Sequence, residues 1–521
     1  MSQVAGLEQT IQKRHSNLVD ISNLSTSAAA TAIEFGKPGL ALEWLEQGRC
    51  LVWGQLNNLR TPLLIDTLHG IEPSLSNQMA RLSKALEQAG SRTELEALGP
   101  SPTVAQKMLI DEENSSHVKL VREWNQLLEK VHELPEFQDF LRPLSYSTLV
   151  RGLPKFGTVV IINIQKDRCD AIALNSGIDN PLQIPLDTFS YTKAEDLREQ
   201  FQAHLRRSDV RMREAERDLT DRGMRRMGDI TIKGVLRQLW ELVVRPILIG
   251  LGFTEPPPEL MRIWWCTTGP LAFLPIHAAG IYDGPAPSSL SDFAFSSYIP
   301  TVRALIEQVK APKIDVTQKG LFMISQPNTP GMTPIPATVQ EVRAIEKVLE
   351  DHKLRVMCLN GENATVSDGL ANMETYSCIH LACHASQIVE YPLQSAFFLH
   401  DGRLDLGSII QKRLVGADLA FLSACQTSAG NEKLSEEAVH LAAGMMAAGY
   451  RGVVATMWSI LDQYGPIVAE EFYKNLISKG GSLDSEHAAR ALHYATQKLR
   501  KELGDSDASL LAWVPYVHFG L

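Results

Sequence analysis

The chain has 521 residues, which is longer than one ordinary domain and predicts two or three. Its composition, 44% apolar and 21% charged, is typical of a soluble globular protein. The 50 basic and 60 acidic residues give a net charge of −10, so the chain lacks the basic footprint of nucleic-acid-binding proteins. We therefore expect no nucleic-acid partner.

Targeting signals and cysteine usage indicate the compartment. The first twenty residues lack the apolar core of a secretory signal, and no apolar stretch reaches the roughly 18–20 residues needed to cross a bilayer. The seven cysteines are an odd number scattered along a large chain, which argues against a disulfide framework. We therefore expect a cytoplasmic protein with no membrane partner and with mostly reduced, buried thiols.

The first region, 1–145, has helical patterns. A run of small and apolar residues at 27–35 is followed, after a glycine- and proline-containing break, by a second helix at 40–59. This pair is similar to one unit of a tetratricopeptide array, which is stable only when stacked. Because we find no clear 34-residue repetition, either the rest of an array is absent or helices at 75–98 and 116–142 cover the pair. We expect these helices to offer a surface to a protein partner.

The second region, 146–318, changes from helical to β patterns. Two apolar runs, 158–162 and 169–174, are separated by polar residues that suit a hairpin. The segment 283–318 is rich in proline and serine and is interpreted as a loop with one short helix. The other predicted elements are two amphipathic helices and one strand, at about 193–219, 229–250 and 262–266.

In the third region, 319–521, strands and helices alternate, which predicts a parallel sheet with crossover helices. The tetrapeptide from Thr338 to Glu341 has the pattern of a capping box at the start of a helix. Pro515 cannot donate to a strand ladder, so we place the last strand at a sheet edge. The predicted strands are at 321–325, 355–359, 378–384, 419–425, 452–458 and 512–519.

Two of these strands are near-continuous apolar runs that end in reactive side chains, His384 and Cys425. Functional sites of open α/β sheets gather beyond the carboxyl ends of the strands. A cysteine is nucleophilic as the thiolate, and a nearby imidazole can accept its proton and later protonate a leaving amine. The pair is therefore a candidate dyad, although a core histidine and an inert buried thiol are the more common roles of such residues.

A metal site is the rival interpretation, because strand alternation places Cys378, His380 and His384 on one face. No carboxylate or second cluster of cysteine and histidine supports it at ligand spacing. We therefore expect neither a metal nor another cofactor.

Five motifs together resemble the CHAT family, caspase-like domains of the clan that includes caspases, metacaspases, legumain and separase. The resemblance covers roughly residues 145–521 and is closest to the fungal branch, in which such domains commonly follow tetratricopeptide-type helices. The motifs are Gly-Pro-Leu-Ala-Phe-Leu-Pro-Ile-His at 269–277, Ser-Tyr-Ile-Pro-Thr at 297–301, Leu-Ala-Cys-His at 381–384, Leu-Ser-Ala-Cys-Gln-Thr at 422–427 and Val-Ala-Thr-Met-Trp at 454–458.

The resemblance implies an α/β, caspase-like (caspase–hemoglobinase) fold with a mostly parallel six-stranded sheet flanked by helices. Residues 319–521 would form the catalytic half. Residues 146–318 would form the N-terminal, pseudo-caspase-like half of the CHAT domain, a β-containing subdomain that follows the helical region 1–145.

The resemblance also implies a cysteine endopeptidase that cleaves a protein substrate. His384 would be the general base and acid, and Cys425 the nucleophile. The backbone N–H groups of Ala385 and Cys425 would form the oxyanion hole, which stabilises developing charge by a few kcal/mol.

Two features leave alternatives open. The family most often has glycine after the catalytic histidine, and if Ala385 needs a positive φ the cost is roughly 1–2 kcal/mol. A catalytically weak or inactive scaffold that binds signalling partners is the alternative function.

Asp462 follows the last motif and is a candidate for the substrate pocket, where it would select a basic P1 side chain. The other interpretation is that it caps the following helix.

Overall fold

The structure is a computed structural model. It describes residues 6–18, 21, 23–60, 62–90, 104–178, 180–208, 231–284, 288–310, 320–388, 391–412, 414, 416–424, 441–478 and 481–521. Within these ranges no helix combines the length and the apolar character that a membrane crossing requires.

The N-terminal region is helical, as predicted. Its second helix is divided in two, because the chain turns at Arg49 and Cys50, and Cys50 has a positive φ of 50°. The helices are α1 (Ile11–Leu18), α2 (Leu24–Glu34), α3 (Pro38–Gly48), α4 (Leu51–Arg60), α5 (Pro62–Ile71), α6 (Pro73–Gly90), α7 (Val104–His132) and α8 (Tyr146–Gly152).

The middle region begins with the predicted hairpin of β1 (Thr158–Ile164) and β2 (Cys169–Leu174), which pair antiparallel. The loop predicted at 283–318 contains a strand, β7 (Ala294–Tyr298), so that prediction was wrong there. The remaining strands and α-helices are β3 (Leu182–Pro185), α9 (Tyr191–Arg207), α10 (Ile232–Leu239), α11 (Arg245–Gly250), β4 (Met261–Thr267), β5 (Gly280–Ile281), β6 (Ser288–Ser289) and α12 (Val302–Lys310).

The C-terminal region alternates strands and helices, as predicted. Its strands are β8 (Leu321–Ser325), β9 (Val356–Asn360), β10 (Cys378–Ala382), β11 (His384–Ser386), β12 (Ala396–Phe398), β13 (Arg403–Asp405), β14 (Leu419–Ser423), β15 (Gly452–Thr456) and β16 (Tyr516–Gly520). Its helices are α13 (Ala337–Asp351), α14 (Val366–Met373), α15 (Leu406–Gln411), α16 (Leu441–Ala448), α17 (Gly465–Ser478), α18 (Ala488–Leu503) and α19 (Asp507–Trp513).

In the described part of the chain, eleven strands form one sheet, in the order β3-β2-β1-β4-β7-β16-β15-β14-β10-β8-β9. The six strands from β16 to β9 are the mostly parallel six-stranded sheet that the resemblance implied; β16 runs antiparallel to β15. The predicted edge position of this last strand was wrong, because β16 lies between β15 and β7 and joins the two halves. Pro515 precedes β16, where its missing N–H interrupts no bond within that strand, and its carbonyl accepts from the N–H of Met457 at 2.9 Å.

The N-terminal helices cover one face of the sheet. Side chains of α2 and α3 share a buried cluster with side chains of β1, β2 and β4, among them Leu42, Ile161 and Trp264. Glu46 of α3 accepts from the backbone N–H groups of Val302 and Arg303 at 2.8 and 2.9 Å, which caps α12. The helical region is therefore packed onto the middle region.

The capping box predicted at Thr338 was wrong. The helix α13 begins one residue earlier, at Ala337, and the residue at its N-cap position, Pro336, makes no side-chain capping bond. The Thr338 hydroxyl donates to the Ile335 carbonyl, and the Glu341 side chain bonds to His380 in the sheet instead of to the start of its own helix.

Candidate active site

His384 lies directly beyond the carboxyl end of β10. The buried residue Cys383 separates it from β10, and His384 then opens β11, the first strand of a small antiparallel sheet with β12 and β13. The His384 side chain is half-buried, so its imidazole is accessible at the end of the large sheet. The strand predicted at 378–384 is thus two strands, and the break between them, at Cys383, directly precedes the candidate catalytic residue.

A backbone carbonyl orients the imidazole of His384. Its Nε2 lies 2.8 Å from the carbonyl oxygen of Thr333. Because a carbonyl can only accept a hydrogen bond, Nε2 carries the proton and donates it. In the neutral ring Nδ1 is then the acceptor, which is the protonation state a general base needs.

The loop that carries Thr333 connects β8 to α13 and is held by its own hydrogen bonds. The N–H of Ile335 donates to the Pro327 carbonyl at 2.9 Å, which closes the loop, and the N–H of Met332 donates to the Thr329 carbonyl at 3.1 Å, which forms a turn inside it. The orienting carbonyl is therefore part of a defined loop.

Ala385 does not need the backbone conformation that would favour glycine. It lies in β11 opposite Phe397, and the described non-glycine residues with a positive φ are Cys50, Leu141 and Lys353. The steric cost considered for an alanine at this position therefore does not arise.

The strand next to β10 is β14, and the two run parallel in a register that pairs Ala382 with Ser423. Ala424 follows and is buried; its carbonyl accepts from the Thr456 hydroxyl of β15 at 2.8 Å. Cys425, the candidate nucleophile, lies outside the described residues. His384 and Cys425 each follow the registered pair of Ala382 and Ser423 by two residues in the sequence.

Asp462 caps a helix, although not the one that follows it. Its Oδ2 accepts from the backbone N–H of Ala337, the first residue of α13, at 3.0 Å. Since Thr333 is four residues before Ala337, Asp462 contacts the end of the segment that orients His384.

A buried polar cluster lies under the sheet beside the site, and the sequence did not point to it. His380 Nε2 of β10 lies 3.0 Å from Glu341 Oε1 of α13, and both side chains are almost fully buried. The Tyr473 hydroxyl of α17 lies 3.3 Å from His380 Nδ1, and the imidazole stacks on Phe421 of β14. His380, which the metal interpretation grouped with His384, therefore serves to join two helices to the sheet.

The structure describes six cysteines, all of them buried or partly buried, and Cys425 is not among them. Burial raises the pKa of Cys169 to about 11 and that of Cys358 to about 12. Burial also raises the pKa of Cys378, whose thiol contacts the Leu483 carbonyl. Such thiols carry little thiolate at neutral pH and are poor nucleophiles.

His277, which ends the first family motif, has a structural role. Its Nε2 donates to the Val514 carbonyl at 2.8 Å, and its Nδ1 lies 2.9 Å from the Tyr298 hydroxyl. Burial lowers the pKa of His277 to about 4, so the ring is neutral and Tyr298 donates to it. The bonds connect the middle region to the segment before β16.

Comparison with known proteins gives one family and several structures. The family model described as the CHAT domain matches residues 233–521 of this chain. No curated protein matches the sequence. The Arg-specific cysteine proteinase gingipain R of Porphyromonas gingivalis is 11% identical over 54% of this chain and 68% of its own, with a TM-score of 0.39. Separase in the Saccharomyces cerevisiae separase–securin complex is 13% identical over 100% of this chain and 42% of its own, with a TM-score of 0.45.

Proposed function

Since the chain belongs to the CHAT domain family, we propose that it is a cysteine endopeptidase that cleaves a protein substrate through His384 and Cys425. The observation that carries the proposal is the hydrogen bond from His384 Nε2 to the Thr333 carbonyl. In the neutral ring this bond leaves Nδ1 as the acceptor, and a base in this tautomer is what an adjacent thiol needs for activation.

The strand register supports the pairing of these two residues. Ala382 and Ser423 are opposite each other in neighbouring parallel strands, and adjacent strands lie about 4.8 Å apart. The two residues at equal distance after this pair are His384 and Cys425. Side chains that extend from such positions can approach within the reach of a proton transfer.

The chemistry follows from these roles. Nδ1 of His384 takes the thiol proton of Cys425, and the thiolate attacks the peptide carbonyl to form a tetrahedral oxyanion. The backbone N–H groups of Ala385 and Cys425 stabilise this charge. The imidazolium then gives its proton to the leaving amine as the C–N bond breaks. Water, deprotonated by the same imidazole, hydrolyses the acyl-enzyme and releases the thiol.

Substrate selection belongs to the same proposal. Asp462, from the segment after β15, is the candidate acidic residue of the pocket for a basic P1 side chain. Its half-buried carboxylate lies beside the loop that contacts His384, which supports this location.

The experiment is covalent labelling by peptidyl fluoromethylketones with Arg, Leu or Asp at P1, followed by cleavage of a peptide library. We expect labelling at Cys425 in the wild-type protein and none in Cys425→Ala. His384→Ala should lose the labelling while it keeps the wild-type thermal unfolding temperature. A folded protein that neither reacts with any of the probes nor cleaves any peptide would instead be the binding scaffold.

The N-terminal region enters the proposal as a surface for a protein partner. The α2–α3 hairpin supports the likeness to a tetratricopeptide unit, and the fungal branch remains part of the proposal. Because the inner face of the hairpin packs on the sheet, a partner would have to use its exposed surface, which includes Phe35 in the turn between α2 and α3, a residue that is 73% exposed.

A further inference from the structure

The helix α13 depends on a distant residue for its first hydrogen bond. A helix begins with N–H groups that have no partner within the helix, and a side chain at the N-cap position usually accepts from one of them. Pro336 occupies that position and makes no such bond. Asp462, 125 residues later in the chain, accepts from the N–H of Ala337 instead.

The start of α13 is connected closely to the carbonyl that orients His384. Thr333 and Ala337 belong to one short segment, in which the Thr338 hydroxyl donates to the Ile335 carbonyl at 2.9 Å. The Ser325 hydroxyl at the end of β8 donates in turn to the Thr338 hydroxyl at 3.3 Å. A displacement of the first turn of α13 would therefore move the Thr333 carbonyl relative to β10.

The segment that carries Asp462 is fixed on its other side. It leads into α17, whose first residue, Gly465, lies against Glu341 of α13. A Cβ on Gly465 would come within 2.8 Å of Glu341 Oε2. Glu341 is held by His380 of β10. The carboxylate of Asp462, which precedes α17, thus lies at the start of α13, and the carboxylate of Glu341, which belongs to α13, lies at the start of α17.

We propose that Asp462 is a positioning residue, which holds the first turn of α13 and, through it, the Thr333 carbonyl that orients the His384 imidazole. The inference rests on the proposed function of His384. The positioning role of Asp462 and its role in a P1 pocket need different properties of the side chain. A pocket for a basic P1 side chain needs a negative charge, whereas the N–H of Ala337 needs an acceptor oxygen, which an asparagine also supplies.

The experiment measures the rate at which iodoacetamide alkylates Cys425, followed by peptide mass spectrometry between about pH 5.5 and 9. This probe is too small to require a P1 pocket, so its rate reports the dyad and not substrate selection. The variants are Asp462→Ala, Asp462→Asn and a control, Ser190→Ala. The Ser190 hydroxyl accepts from the N–H of Lys193 at the start of α9, so the control also removes a helix cap.

We expect Asp462→Ala to lower the alkylation rate at neutral pH by about 10-fold and to shift its pH profile towards that of an ordinary thiol. Asp462→Asn should restore the rate to within about 2-fold of the wild-type protein, because the amide oxygen accepts the same hydrogen bond. Ser190→Ala should leave the profile unchanged.

Either of two results overturns the inference. One is a pH profile of Cys425 alkylation in Asp462→Ala that equals that of Ser190→Ala. The other is an alkylation rate in Asp462→Asn that falls as far as in Asp462→Ala, which would show that the negative charge and not the acceptor oxygen is required. Failure of the proposed function looks different, since the wild-type profile would then coincide with that of His384→Ala.

Discussion

The imidazole of His384 donates from Nε2 to the carbonyl oxygen of Thr333 across 2.8 Å, and this bond decides which ring nitrogen is free to act. Thr333 lies 51 residues before His384, on the loop after β8, so the bond joins this loop to the segment that follows the neighbouring strand β10. The buried His277, in contrast, has both ring nitrogens engaged, with Val514 and Tyr298. In His384 the protonated nitrogen is engaged and the basic one is the candidate partner of the thiol.

The first prediction concerns Gly331, in the loop that carries Thr333. Its φ is +77°, and no atom lies within 4 Å of the position of an added Cβ. Gly331→Ala should therefore cost about 1–2 kcal/mol through backbone strain and lower the alkylation rate of Cys425. Urea denaturation and the alkylation rate are the measurements.

Gly177 provides the matched control for Gly331. Its φ is +79°, an added Cβ would also meet no atom within 4 Å, and it lies between β2 and β3 in the other half of the sheet. Gly177→Ala should show a similar loss of stability with no change in the rate. Equal rates of Cys425 alkylation in Gly331→Ala and Gly177→Ala would show that the loop with Thr333 does not influence the site.

The second prediction concerns the buried pair of Glu341 and His380. Removal of one partner from a buried pair leaves the other without compensation, so Glu341→Ala should reduce the free energy of unfolding by about 3 kcal/mol. The control is Glu470→Ala, because Glu470 forms an exposed pair with Lys474 at 2.6 Å and should change the stability by less than about 1 kcal/mol. Equal losses would contradict a stabilising role for the buried pair.

The third prediction is a pH dependence of stability. Burial lowers the pKa of His277 and of His493 to about 4, from 6.5. Between these values the unfolded chain binds more protons than the folded one, so the stability falls as the pH falls from about 6.5 towards 4. Urea midpoints measured across this range should decline, and His493→Gln should reduce the slope. Above about pH 7 these groups contribute no slope, which provides an internal reference.

The fourth prediction is selective alkylation. Cys358 is the most exposed of the described cysteines, yet burial raises its pKa to about 12. At neutral pH it should therefore react slowly, and Cys358→Ser should leave the number of rapidly alkylated thiols unchanged at one. Mass spectrometry of the intact protein counts the added alkyl groups. If the variant gained one group fewer than the wild-type protein in the same short time, the prediction would be contradicted.

Much of the sheet could be predicted because its central strands have a simple signature. The strand predicted at 321–325 coincides with β8, and the runs that end near His384 and Cys425 are β10 and β14. Buried parallel strands are continuous apolar runs, which the sequence displays directly. The strand β7 lacks this signature because Ser296 and Ser297 interrupt it. The position of β16 inside the sheet was missed because a proline before a strand does not determine which strands lie beside it.

The site could be predicted in part for a related reason. The position of His384 beyond a strand could be predicted because the end of an apolar run is visible in the sequence, whereas its catalytic role comes from the resemblance and stays a prediction. The Thr333 carbonyl has no side-chain signature, since any residue at that position supplies the same oxygen. The contacts of Asp462 with Ala337 and of Glu341 with His380 depend on how helices pack on the sheet, and no local pattern encodes that packing.

The most direct test of the account compares the pH profile of Cys425 alkylation in the wild-type protein with that in His384→Ala. If the imidazole activates the thiol, the wild-type rate remains high well below pH 8.5, the ordinary pKa of a cysteine, and His384→Ala reacts only as the free thiol ionises. Superimposable profiles in two folded proteins would show that the two side chains do not interact, and the endopeptidase proposal would fail.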